Sequence, residues 1–119
     1  MSDPKIVLQN TYKNYTYLIT FNSAFYCAYI IIPPSHPYFC LDYELLNISC
    51  HGGLTFSDCH YLINQWCIGW DYGHAGDWNY DLPDYMQTSL LGTFHKWTLK
   101  EIELECFNVI EQLINAEYS

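Results

Sequence analysis

Asp71, His74 and Asp77 recur at intervals of three, with Gly73 and Gly76 set between them. Imidazole nitrogens and carboxylate oxygens are donors for zinc or another divalent ion, and this spacing lets a tight loop fold them around one ion. The glycines supply the dihedral angles such a wrap requires. His51, followed by Gly52 and Gly53, stands at another candidate strand end and is the fourth donor of the set. Cys50-His51 and Cys59-His60 offer alternative ligands, although adjacent residues on a strand point to opposite faces. The same residues also have an ordinary structural reading: Asp71 capping a turn, His74 polar on the surface, and Asp77 bonding nearby amides.

Catalytic signatures are thin. The chain has no GxSxG elbow, no HExxH helix and no phosphate-cradling glycine loop. A Cys59–His74 nucleophile pair has no spacing in its favour, and a metal hydrolase would need an open coordination position beside a spare carboxylate such as Asp42. Beyond Asp77, Trp78, Tyr80 and Tyr85 alternate with Asp81 and Asp84 in a long loop. Tyr and Trp are favoured interface anchors, and loops of this length are usually functional or ligand-organised. His36, between prolines, reads as a solvated loop residue or as a partner that orients a ligand. His95 reads as structural.

The elements that position these residues follow from the surrounding pattern. Asn14–Phe21 and Phe25–Ile32 are rich in β-branched and aromatic residues and predict a hairpin, with Asn22-Ser23 as its turn and Pro33-Pro34 as its end. Ser35–Leu41 reads as loop, Asp42–Leu46 as one helical turn, and Asn47–Cys50 as a short strand. Gln65–Asp71, apolar on both faces, predicts a further, central strand. Thr98 and Glu101 spell a capping box. From there Leu99, Ile102, Cys106, Val109, Ile110 and Leu113 fall on one helical face, so a helix is expected over Leu99–Ala116. The fold class is α+β, a small mainly antiparallel sheet packed by one long C-terminal helix in a single domain, residues 1–119, with a frayed N-terminus.

Composition bounds the partners. Half of the 119 residues are hydrophobic and 18% are aromatic, which excludes intrinsic disorder. The apolar run Ala28–Pro34 is far short of the ~20 residues that span a bilayer, and no secretory leader pattern opens the chain. A cytoplasmic protein is expected. Its six cysteines then read as free thiols rather than disulfides. Four lysines and no arginine face 13 acidic residues, for a net charge of −9. Such a chain has little with which to neutralise phosphates or approach an anionic membrane, and is drawn instead to basic proteins.

The strings His51-Gly-Gly-Leu-Thr-Phe-Ser57 and Gly69-Trp-Asp71 with His74-Ala-Gly-Asp77, preceded by Ser35-His-Pro37 and Asp42-Tyr43, form an ordered set. Over about Tyr26 to Asp77 the chain resembles a family of small proteins of bacteriophages and other mobile elements, whose shared text reads approximately GHP, DY, HGGLTYS and GFDxxHAGD. Ser35 replaces the usual glycine before His-Pro, and Trp70 stands where Phe is commoner. The chain is also similar to zinc-containing type II anti-CRISPR proteins that bind Cas9. This resemblance implies one structural zinc ion held by His51, Asp71, His74 and Asp77, with affinity falling as the imidazoles protonate, near pH 6.5 for a free imidazole. It further implies a monomeric, non-enzymatic inhibitor acting in the host bacterial cytoplasm. Such an inhibitor would bind Cas9 stoichiometrically through Trp78, Tyr80, Asp81, Asp84 and Tyr85. The alternative is a sponge or metal-dependent hydrolase for a nucleotide immune signal.

Overall fold

The computed structural model describes residues 3–118. Five strands, β1 (Lys5–Tyr12), β2 (Tyr15–Phe21), β3 (Tyr26–Ile31), β4 (Phe56–His60) and β5 (Gln65–Asp71), form one sheet in the order β1-β2-β3-β5-β4. Every neighbouring pair is antiparallel. A two-stranded ribbon, β6 (Thr88–Ser89) and β7 (Gly92–Thr93), projects from the loop that follows, and helix α1 (Leu99–Ala116) closes the chain. The expected α+β class is therefore what the chain adopts. Among the described residues no helix is long and apolar enough to cross a membrane.

Helix α1 begins where the capping box puts it. The Thr98 side chain accepts from the Glu101 amide, and the Glu101 carboxylate accepts from the Thr98 amide at 3.0 Å, so two donors that the first turn leaves open are satisfied. Ile102, Cys106, Val109, Ile110 and Leu113 on its inner face are fully buried against Tyr17, Ile19, Ala28, Ile30, Ile68 and Trp70 of the sheet. Tyrosines rivet the two layers together. Tyr12 stacks on Phe107 with centroids 4.3 Å apart and donates to Glu111 at 2.7 Å, while Tyr15 and Tyr17 donate to Glu117 and Glu103.

The two outer strands depart from the sequence expectation. Residues 5–12 form strand β1 where a frayed N-terminus was expected, turning into β2 through Lys13 and Asn14, both at positive φ as a two-residue hairpin demands. Strand β4, Phe56–His60, falls where the sequence pattern predicts no strand. Both lie at sheet edges and bury little, so neither carries the alternation that marks a half-buried strand.

Asn47–Cys50, expected as a strand, belongs to no sheet. Side chains of α1 satisfy its backbone instead: Gln112 accepts from the Ser49 amide at 2.8 Å and donates to the Ser49 carbonyl at 2.7 Å. The Glu105 carboxylate takes the His51 amide at 3.0 Å. These bonds fix the approach of His51 to the site. His36 is likewise not solvated. It is 5% exposed, donates through Nε2 to the Leu113 carbonyl in the last turn of α1 at 2.8 Å, and accepts at Nδ1 from the Tyr38 amide at 2.9 Å.

Candidate metal centre

Three segments converge at one corner of the sheet: Cys50–Gly53, the loop Asp71–Asp77 that leaves β5, and His95–Trp97 just ahead of α1. The loop is tied to the third segment by backbone bonds, His95 N–H to the Gly76 carbonyl and Trp78 N–H to the His95 carbonyl, both 2.9 Å. The first segment turns sharply at Gly52 and Gly53, whose φ values are +69° and +80°. Gly52 is also where the turn meets the loop. A Cβ there would lie 2.4 Å from His74 Cε1, so the missing side chain makes the space that the His74 ring fills.

Asp77 is the hub of the site. Its side chain is 4% exposed; Oδ2 accepts from His51 Nε2 at 2.8 Å and from the His74 amide at 3.0 Å, and Oδ1 accepts from Trp97 Nε1 at 2.8 Å. His51 is clamped from the side by Tyr72, with centroids 4.8 Å apart and planes 5° from parallel, and by Trp97 at 4.8 Å. His74 Nδ1 is buried and lacks a hydrogen-bond partner among the described residues, although it faces Asp71 Oδ1 at 3.5 Å and Asp77 Oδ2 at 3.6 Å. A buried polar nitrogen without a partner costs free energy, and a metal ion between it and the carboxylate would satisfy both.

The donor atoms of His51, His74 and Asp77 all lie within 4.8 Å of one another, and these residues could hold a metal ion. The two nearest separations from Asp77 Oδ2, 2.8 and 3.6 Å, bracket the ~3.3 Å edge of a tetrahedron with zinc-like arms of about 2.0 Å. Asp71, the fourth expected ligand, stands beside this group rather than in it. Its Oδ1 accepts from the Gly73 amide at 3.0 Å and its Oδ2 from Thr55 Oγ1 at 3.3 Å.

The alternative donors lie elsewhere. Cys50 is outside the group, and burial together with the nearby Glu105 carboxylate pushes its thiol up to about 12. Cys59 and His60 are on edge strand β4, with Cys59 exposed and His60 packed on Tyr29 and Tyr61. All six cysteines carry free thiols. Asp42 caps the short helical turn Tyr43–Leu45 by accepting from the Glu44 amide at 2.9 Å, and His95 pairs with Glu101 at 2.7 Å.

Burial alone would raise the Asp77 pKa, but the hydrogen bonds from His51, Trp97 and the His74 amide outweigh it and hold the carboxyl below the ordinary carboxylate range. A pKa depressed by folding adds stability that is fully present above the unfolded value, about 3.9, and is lost as pH falls through the folded one. An acid titration followed by tryptophan fluorescence should therefore show Trp97 released only below pH ~4. Asp77→Asn should remove that pH-dependent component.

Sequence reasoning missed Trp97, Tyr72 and Glu105. Tyr72 follows Trp70 by two residues and shares its buried face, a periodicity that was available. Trp97 and Glu105 reach the site across the fold, and no local pattern announces them.

The loop residues expected to meet a partner divide into two groups. Lys96 Nζ lies over the rings of Trp78 and Tyr80, 5.1 and 5.6 Å from their centroids. Tyr80 also sets its ring edge-on against Phe21 and Tyr26 and donates to the Trp97 carbonyl at 3.2 Å. Asp81, Asp84 and Tyr85 face outward, and beside them the β6–β7 turn carries Leu90 and Leu91 fully exposed. Gln87, wholly buried, anchors this arm by accepting from the Asn79 amide and donating to the Asn79 and Leu82 carbonyls.

No family model matches the chain, and the comparisons with curated proteins and with solved structures find no similar protein. Fold and site together define a small acidic α+β protein with a candidate His-His-Asp metal centre at the root of an exposed arm.

Proposed function

We propose that the centre holds one structural zinc ion and that the protein is a stoichiometric inhibitor of Cas9. The observation that carries the metal reading is the buried His74 Nδ1, without a hydrogen-bond partner among the described residues and set against the Asp77 carboxylate and His51. His51, His74 and Asp77 would hold the ion. Zinc would supply cross-links among the Cys50–Gly53 turn, the Asp71–Asp77 loop and, through Asp77, Trp97 at the foot of α1.

Support for the inhibitor reading comes from the HGGLTFS and GWDxxHAGD strings and from a net charge of −9 without arginine. A nucleic-acid-handling lobe of Cas9 is basic, so carboxylates steer the encounter and apolar anchors hold it. Asp81, Asp84 and Tyr85 are outward members of the expected contact set and Leu90 and Leu91 extend it, while Tyr80, also exposed, and half-buried Trp78 brace the loop through Lys96.

Titration into a purified Cas9 cleavage assay tests this. Inhibition should saturate near one inhibitor per enzyme and association should slow as salt rises beyond ~0.1 M. The double substitution L90D/L91D, which touches neither core nor centre, should weaken inhibition by about tenfold or more, the effect of losing one apolar anchor. Failure to inhibit any of several type II nucleases, or inhibition at strongly substoichiometric doses, would overturn the reading and favour a sponge or hydrolase for a nucleotide signal.

A further inference from the structure

The site supplies three donors, and a zinc-like ion takes at least four. The residue nearest to filling the gap, Asp71, has Oδ1 3.5 Å from His74 Nδ1 but lies outside the three donors that are mutually within 4.8 Å, held there by the Gly73 amide and Thr55 Oγ1. The three donors are also unequally covered. The Asp77 side chain is 4% exposed, whereas those of His51 and His74 are 26% and 35% exposed, so the cluster is sealed on the Asp77 side and the imidazole rings are the part of it that solvent reaches.

We infer that a divalent metal at this centre keeps an exchangeable coordination position, open to a small monodentate anion, rather than being closed by Asp71. This rests on the metal reading given above. Three protein ligands leave a position for an outside donor, while the ion still cross-links the segments that hold it. Two neutral imidazoles and one carboxylate leave a divalent ion with one net positive charge, which favours an anionic fourth donor over a neutral one. Asp71, whose Oδ1 lies 3.5 Å from the ligating nitrogen His74 Nδ1, then stands as a nearby negative charge rather than as a ligand. No bond is made or broken in the chain itself; the step is ligand exchange with solvent.

The test uses the full chain loaded with Co2+, whose visible ligand-field spectrum reports its donors, titrated with azide and then with acetate. A saturable spectral shift, reversed on dialysis, is the expected result. Asp71→Asn should keep cobalt uptake, the starting spectrum and the azide response, with affinity for cobalt reduced on the order of tenfold for loss of a nearby negative charge. A spectrum that azide leaves unmoved overturns the inference, and one that Asp71→Asn alters shows Asp71 as the fourth ligand. Failure of the wild-type chain to take up cobalt at all would instead remove the metal reading on which the inference stands.

Discussion

Gly52→Ala should cost the protein its metal centre while leaving the sheet and helix in place. The added methyl would stand 2.4 Å from His74 Cε1 and 2.7 Å from Nδ1, closer than any relaxed contact allows, so the imidazole must leave its position. The backbone compounds the effect, because an L-residue at φ +69° costs about 1–2 kcal/mol. Gly53→Ala is the internal control: its φ is +80°, yet nothing lies within 4 Å of the new methyl. Both variants should lose stability from the turn, but only Gly52→Ala should also lose zinc affinity, by roughly 100-fold, equivalent to about 2.7 kcal/mol. Calorimetric zinc titration beside a melting curve of each variant separates the two contributions.

Asp77→Ala should be the most damaging single change at the site. It strands Trp97 Nε1, His51 Nε2 and the His74 amide at once, each of them bonded to this carboxylate. A buried donor left unsatisfied costs about 1–3 kcal/mol, and even partial relief by entering water leaves a total of about 3 kcal/mol. Metal uptake should vanish with it. Asp77→Asn keeps the shape and one acceptor, so it should retain most of the fold while losing the charge a metal needs. A denaturant melt of the metal-free proteins gives the structural cost, and repeating it with zinc gives the cost of lost binding.

The helix was legible to the residue because everything that defines it is local. The cap at Thr98 and the buried stripe from Ile102 to Leu113 repeat within a few residues of one another. The interior strands were legible because burial on both faces leaves an unbroken apolar run, as in Gln65–Asp71. Edge strands were not. In β1 only Leu8 and Tyr12 are covered even in part, so its sequence has no reason to alternate. Asn47–Cys50 failed as a strand for a different reason: extended backbone can be satisfied by side chains of a distant helix, and Gln112 and Glu105 do this here.

The site shows the same division. His51, His74 and Asp77 were found through their spacing and their glycines, which are local signals of a turn that brings donors together. Asp71 fits the same spacing, but Gly73 and Thr55 hold its carboxylate outside the group of mutually close donors, a placement that only the fold reveals. The role of Trp97, reached across 20 residues of chain, has no counterpart in the sequence pattern. The outward arm was half legible: its acidic and aromatic residues stood out, while Leu90 and Leu91 gave no sign that they would be left fully exposed.

Metal content of the purified chain, read together with its melting point, tests the central claim most directly. The account predicts one zinc per chain by elemental analysis, a fall in Tm when a chelator removes it, and recovery on adding zinc back. With free zinc ~100-fold above its Kd, linkage adds about 2.7 kcal/mol, a shift on the order of 10 °C for a chain of this size. His74→Ala should carry no zinc and should melt at the same temperature with or without chelator. A wild-type chain that binds no stoichiometric metal and melts unchanged in chelator would contradict the account.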